Sequence, residues 1–238
     1  MQQLILLDFN WTQLLQPQWY IENGGLWFIV FVVFAETGLF AGFFLPGDSL
    51  LFVTGIYSNE LVKSAFGFED INSVAALFIL GTLITIAGII GNFVGYWFGK
   101  KSGPFLFERK DTFFFRKKYL FQAKDFFDKH GGFAIVIARF APLLRTFAPI
   151  VAGIVLMDKK KFAFYNIIGS AAWVFTMLFA GHYLQLFFER TYGFDLKEHL
   201  EVIVIGIVLI TTAPIILKLI FGKFKVPPPI PRNDSTPK

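Results

Sequence analysis

Two acids and two arginines stand where charge is hardest to keep. Glu36 and Asp48 are the only charges in the otherwise apolar stretch from Gly24 to Tyr57, and Arg139 and Arg145 lie in the apolar run from Phe133 to Met157. An arginine does not lose its charge in a protein, and one placed at bilayer depth costs roughly 2.5–3.5 kcal/mol on insertion scales. Such groups face each other or a polar cavity, so the opposite signs point to mutual compensation near the midplane, facing a cavity and away from lipid tails. A purely structural reading pairs the four charges to lock their segments together. A functional reading adds a ligand. The planar guanidinium grips phosphate or carboxylate in two places, which makes an anionic headgroup the natural occupant of Arg139 and Arg145. Carboxylates at that depth are suited to carry a coupling proton, as in pumps. Ser49 and Thr54 near Asp48, and Thr146 beside Arg145, are placed to donate to a headgroup or to cap a broken helix end. His182, alone in an apolar helix, reads as a packing residue ahead of a proton relay.

The elements that carry these charges are interrupted ones. Pro142 and Pro149 each remove a backbone donor, so the segment is expected to be a broken, re-entrant element. The stretch from Gly24 to Tyr57 contains Leu45-Pro46-Gly47. It is too long for one span of about 20 residues and short for two, which fits a helix, a turn at depth and a returning half-helix. Val74 to Phe98 reads as a regular transmembrane helix in which Gly81, Gly88, Gly91 and Gly95 allow close packing and Asn92 can bond across helices. Phe162 to Phe188 and Val202 to Phe221 are further spans, the latter with Pro214 inside. Ser58 to Ser73 and Glu189 to Glu201 read as polar connections. Residues 4–22 read as an interfacial helix. Lys100 to Gly132 mixes nine Lys/Arg with nine aromatics. Its membrane flanks favour an amphipathic helix on an anionic leaflet over nucleic-acid binding.

Composition agrees. The chain has 238 residues, 55% hydrophobic and 19% aromatic with 33 Phe, which points to an integral membrane protein. Cysteine is absent, which excludes disulfides and thiolate sites. The three His have no metal-ligand spacing, and there is no Gly-rich phosphate loop, G-x-S-x-G or H-E-x-x-H motif. No cofactor, metal or enzymatic activity is therefore expected. The start lacks the basic n-region and cleavage site of a secretory signal and is expected to be retained. The organisation expected is one membrane domain over 1–222, with halves at about 1–99 and 100–222, and a basic Pro-rich tail over 223–238.

Charge placement orients the chain. The first 62 residues hold no Lys or Arg, whereas the 100–132 segment, the Asp158-Lys159-Lys160-Lys161 loop and the tail are rich in them, which places those three and the C-terminus in the cytoplasm. Phe133 to Met157 then enters and returns on one side. The Gly24 to Tyr57 segment is either an opposed hairpin or a single full span with a cytoplasmic N-terminus. With hairpins in both halves the fold is an all-α integral membrane protein. It is an inverted repeat of two opposed re-entrant helical hairpins, about three full transmembrane helices and interfacial amphipathic helices, as in many secondary transporters.

At these residues the sequence resembles the DedA family, whose domain is also called the SNARE-associated or VTT domain. The resemblance rests on E-T-G-L-F-A-G-F-F-L-P-G-D-S-L-L from Glu36, G-N-F-V-G-Y-W-F-G from Gly91, and R-F-A-P-L-L-R-T-F-A-P-I-V-A-G from Arg139. The third motif is the most specific. One departure is Leu45-Pro46-Gly47-Asp48, where many members carry a second proline. The resemblance implies two opposed re-entrant hairpins. It also implies transport of an anionic lipid, undecaprenyl phosphate for reuse in cell-wall synthesis or a phospholipid, across the bacterial cytoplasmic (inner) membrane. The family's essential acids fall on Glu36 and Asp48 and its essential arginines on Arg139 and Arg145. Protons are the implied coupling ion, and a homodimer is allowed without being required. Two other readings stand beside a lipid flippase: a proton-coupled small-ion or drug antiporter, and a membrane assembly factor without transport.

Overall fold

A computed structural model describes residues 17–38, 47–108, 127, 129–140, 142–199 and 206 of the chain. In order they form α1 (Pro17–Gly38), α2 (Gly47–Ile56), α3 (Ser58–Phe66), α4 (Ser73–Glu108), α5 (Phe133–Ala138), α6 (Pro142–Ile154), α7 (Lys159–Tyr192) and a 3-10 turn (Leu196–His199). Among the described residues there is no strand. The turn at Pro46, the basic stretch over 109–126, the expected span over 202–221, the tail and most of the N-terminal interfacial helix lie outside the described residues.

Two helices are long and apolar enough to cross a membrane, within Ser73–Gly103 and over Lys159–Tyr192. Both exceed the expected spans. α4 continues through Lys100 and Lys101, and α7 starts on an Asp158 cap whose side chain accepts from the Lys161 N–H at 2.9 Å. α1 changes direction at Gly25, which has a left-handed φ of 57°, and this divides the 17–24 turn from the apolar helix after it. The stretch after Tyr57, expected to be a polar connection, contains α3 instead. The Tyr57 N–H bonds to the Val53 carbonyl and the Leu61 N–H to the Tyr57 carbonyl, each at 3.0 Å, so the helical ladder passes through the corner. Leu61 and Val62 are buried, which a loop would not do with them.

The second proline-rich segment is broken, as expected, between α5 and α6. α5 ends in tight turns, Arg139 N–H to Val136 O and Phe140 N–H to Ile137 O, and Pro142 opens α6, where a missing N–H costs nothing. Pro149 sits inside α6 without ending it. Its absent donor leaves the carbonyl of Arg145, four residues earlier, without its helical bond.

The helices approach through glycines in two matching crossings. Where α2 meets α7, a Cβ on Gly55 would strike the Leu178 carbonyl and one on Gly181 the Phe52 carbonyl. Where α4 meets α6, a Cβ on Gly99 would strike the Ile150 carbonyl and one on Gly153 the Tyr96 carbonyl. Each crossing is antiparallel, and each places a residue three before one glycine against the other glycine. Small residues at such contacts let backbones touch, which is how helices associate without a hydrophobic driving force. Leu26, Ile29, Leu50, Leu80, Trp173 and Leu178 fill the core between α1, α2, α4 and α7.

Polarity runs inside out. Trp27, Phe31, Phe78, Trp97, Phe105, Phe140, Leu144, Phe164 and Phe187 point outward, while Glu36, Asp48, Asn92, Arg139, Arg145 and Asn166 are buried. A soluble protein places these classes the other way round.

Candidate functional site

Glu36 near the end of α1, Asp48 in the first turn of α2 and Arg145 in the first turn of α6 meet at one point. Arg145 donates through Nη1 to Asp48 Oδ1 and through Nη2 to Glu36 Oε1, one amino group to each acid. A cation in a first helical turn faces the positive end of the helix dipole, so two carboxylates there are well placed. Asp48 has the dipole in its favour.

Gly47 explains part of the motif around it. Any Cβ at this position would collide with the Glu36 carboxylate, so the glycine is required by the neighbour it admits. Trp173 of α7 closes the other side. Its indole N–H donates to Asp48 Oδ1 at 2.9 Å, and its ring lies 4.9 Å from the Arg145 guanidinium and 6.0 Å from that of Arg139. Both distances fall within cation–π range.

Arg139 caps α5 and reaches a different partner. Its Nη2 donates to Asn166 Oδ1 at 2.7 Å, and among the described residues no carboxylate lies within 4.0 Å of it. The expected sharing of two acids between two arginines thus resolves into both acids on Arg145 and an amide on Arg139. The reason is positional: the α5–α6 break puts the two arginines in different helices, and only the α6 one points to α1 and α2. Asn92 joins here, bonding from α4 to Asn166 Oδ1 at 2.7 Å.

The four charged groups are buried, between 1% and 9% exposed. Ser49 and Thr146 are buried next to Asp48 and Arg145 in sequence. Thr54 bonds to the Leu50 carbonyl at 2.6 Å, which occupies it within its own helix. His182 stands edge-on to Tyr183 and has its ring centre 5.4 Å from it. Glu36 Oε2, Arg145 Nε and Asn92 Oδ1 are buried without a hydrogen-bond partner among the described residues. Among those residues no group of three or more His, Asp or Glu could hold a metal ion.

Sequence reasoning passed over Asn166, Ser170 and Trp173. A signal existed: three polar-capable residues at i, i+4 and i+7 in the apolar run of Phe162 to Phe188 mark one helix face, and that face is the buried one.

The chain is similar to known membrane proteins over most of its length. The VTT domain matches residues 45–183. The chain is 35% identical over 206 residues to Protein DedA of Escherichia coli K12, covering 85% of this chain and 87% of that one. It is 33% identical over 183 residues to Inner membrane protein YqjA of the same organism, covering 73% and 78%. An uncharacterized membrane protein of Mycobacterium leprae is 32% identical over 187 residues, 78% of this chain and 75% of that one. No solved structure matches.

Proposed function

Because the chain belongs to the DedA family of VTT-domain membrane proteins, we propose that it carries an anionic lipid, undecaprenyl phosphate ahead of a phospholipid, across the bacterial inner membrane. The observation that carries this reading is the meeting of Arg139, Arg145, Glu36 and Asp48 around one indole, buried in a molecule whose outer face is apolar. Two guanidiniums within reach of one point form a phosphate site, and ionisable groups at membrane depth mark substrate or ion pathways.

The reading has the four charges as an occluded state. A phosphate headgroup displaces a carboxylate from Arg145, protonation of Glu36 or Asp48 makes that exchange favourable, and the aliphatic tail stays in the bilayer throughout. Ser49 and Thr146 supply hydroxyl contacts to the headgroup. Only the charged head needs a path through protein.

Two opposed re-entrant hairpins, α1–α2 in the first half and α5–α6 in the second, give the exchange its symmetry. The matched glycine crossings support this, because each half's short helix packs on the other half's long one in the same antiparallel pattern. The long helices α4 and α7 then make the chain multi-pass, and the basic loops put its C-terminus in the cytoplasm. Protons are the coupling ion and no cofactor is needed.

Flipping of labelled undecaprenyl phosphate in proteoliposomes tests the reading. Arg139→Ala and Arg145→Ala are each expected to bring flipping close to that of empty liposomes. Undiminished flipping in both variants would exclude the role given to the pair.

A further inference from the structure

The two arginines stand in different company. Arg145 is matched by two carboxylates, so a ligand reaches it only by displacing one of them. Arg139, 2% exposed, is ordered by a neutral amide.

That amide is itself held in one orientation. Asn166 Nδ2 donates to the Ile89 carbonyl at 3.2 Å, while its Oδ1 accepts from Asn92 at 2.7 Å and from the Ser170 hydroxyl at 3.3 Å as well as from Arg139. Turned over, it would aim an NH2 at a guanidinium, two donors facing each other. Gly169 adds room: a Cβ there would lie 3.4 Å from Arg139 Cγ. An aspartate at 166 would keep an acceptor for Arg139 and cancel its charge, at the loss of the donor to the Ile89 carbonyl. Asparagine holds it without cancelling it, and a buried cation so held keeps its attraction for an anion undiminished by solvent.

We infer that Arg139 is the first receiving group for a phosphomonoester, that Asn166 is the positioning residue that keeps its charge available, and that Arg145 joins after leaving an acid. This rests on the lipid-headgroup reading above. It divides between the two arginines a task that the sequence gives to both alike.

The test is thermal stabilisation of the full chain in detergent micelles, titrated with farnesyl phosphate, a phosphomonoester on a short polyprenyl tail, and in parallel with inorganic phosphate. Wild type is expected to bind farnesyl phosphate. Asn166→Asp is expected to weaken that binding about tenfold or more, because it gains an ion pair with Arg139 even as it loses the donor to the Ile89 carbonyl. Asn166→Ala is expected to weaken binding less. A merely structural Asn166 gives the reverse order, because aspartate keeps its shape and alanine does not. That reverse order, or wild-type binding by Asn166→Asp, overturns the inference and leaves the lipid reading standing. No binding of farnesyl phosphate to wild type overturns both. Inorganic phosphate binding as tightly as farnesyl phosphate, with the same order of variants, supports the Arg139 subsite and assigns it to free phosphate, against the lipid reading.

Discussion

The indole N–H of Trp173 donates to Asp48 Oδ1 at 2.9 Å, joining positions 125 residues apart and sharing the oxygen that Arg145 also uses. One acceptor atom thus ties α2, α6 and α7 together. Trp173→Phe keeps most of the apolar area, removes the donor and leaves a smaller gap than alanine would. A hydrogen bond to a charged group contributes about 1.5–3 kcal/mol, so the variant should melt at lower temperature and flip lipid more slowly. Trp173→Ala should cost more, about 3–5 kcal/mol, through the cavity it leaves. Parallel melts and proteoliposome assays check this, and a Trp173→Phe variant indistinguishable from wild type would remove the hydrogen bond from the account.

Breaking the Arg145 fork should expose how costly its charges are alone. Arg145→Gln leaves Glu36 and Asp48 buried without their cation, which destabilises by about 3–5 kcal/mol, whereas Glu36→Gln leaves Arg145 on Asp48 and should cost less. The double variant should lose less than the sum, because no orphan of that pair remains. A double-mutant cycle on melting in detergent measures the coupling, and additive losses would mean that the two side chains are not paired.

The glycines of α4 should not behave alike. A Cβ on Gly91 would collide with Thr37 and approach the Phe34 carbonyl at 2.7 Å, so Gly91→Ala should destabilise by about 1–3 kcal/mol. A Cβ on Gly88 meets only Val33, at 3.9 Å. Gly88→Ala should therefore stabilise by about 0.5–1 kcal/mol through helix propensity. Opposite shifts in melting temperature are expected, and shifts of the same sign would contradict the α1–α4 contact.

This contrast shows what the sequence carried and what it did not. Charges in apolar runs are conspicuous, so Glu36, Asp48, Arg139 and Arg145 were legible as a set, and the Pro142 break and the two long spans followed from hydropathy. Their pairing was not legible, because it depends on which side of the α5–α6 break each arginine falls. α3 was missed because Asn59, Glu60 and Lys63 read as a loop, although Leu61 and Val62 bury the opposite face. The break expected of the two prolines falls before Pro142 and not at Pro149, and Gly88 was grouped with Gly91, which alone of the two meets a neighbouring backbone. Asn166 and Trp173 carry no charge, so nothing set them apart until the helix face was drawn.

At the surface, Lys197 Nζ bonds to Glu60 Oε1 at 2.6 Å and lies 5.1 Å from the Tyr57 ring, tying the turn after α7 to α3. Partial burial lowers the Lys197 pKa, but the hydrogen bond and charge of Glu60 outweigh it and the net shift is upward. A raised lysine pKa gives stability that is fully present below the unfolded value of about 10.4 and lost as pH rises through the folded one. An exposed pair contributes about 0–1 kcal/mol. Glu60→Gln should thus lower the melting temperature slightly and by the same amount at pH 7 and pH 9. A change in its effect between those values would contradict the assignment, and any pH dependence of flipping in that range must come from other groups.

The central claim is that a lipid phosphate takes the place of a carboxylate at the arginines. The most direct measurement is a structure of the protein in nanodiscs containing undecaprenyl phosphate. The account predicts density for the head between Arg139 and Arg145, with the tail leaving toward the bilayer and at least one of Glu36 and Asp48 withdrawn from Arg145. Lipid density confined to the outer apolar surface, with Arg145 still forked onto both acids at saturating lipid, would contradict it.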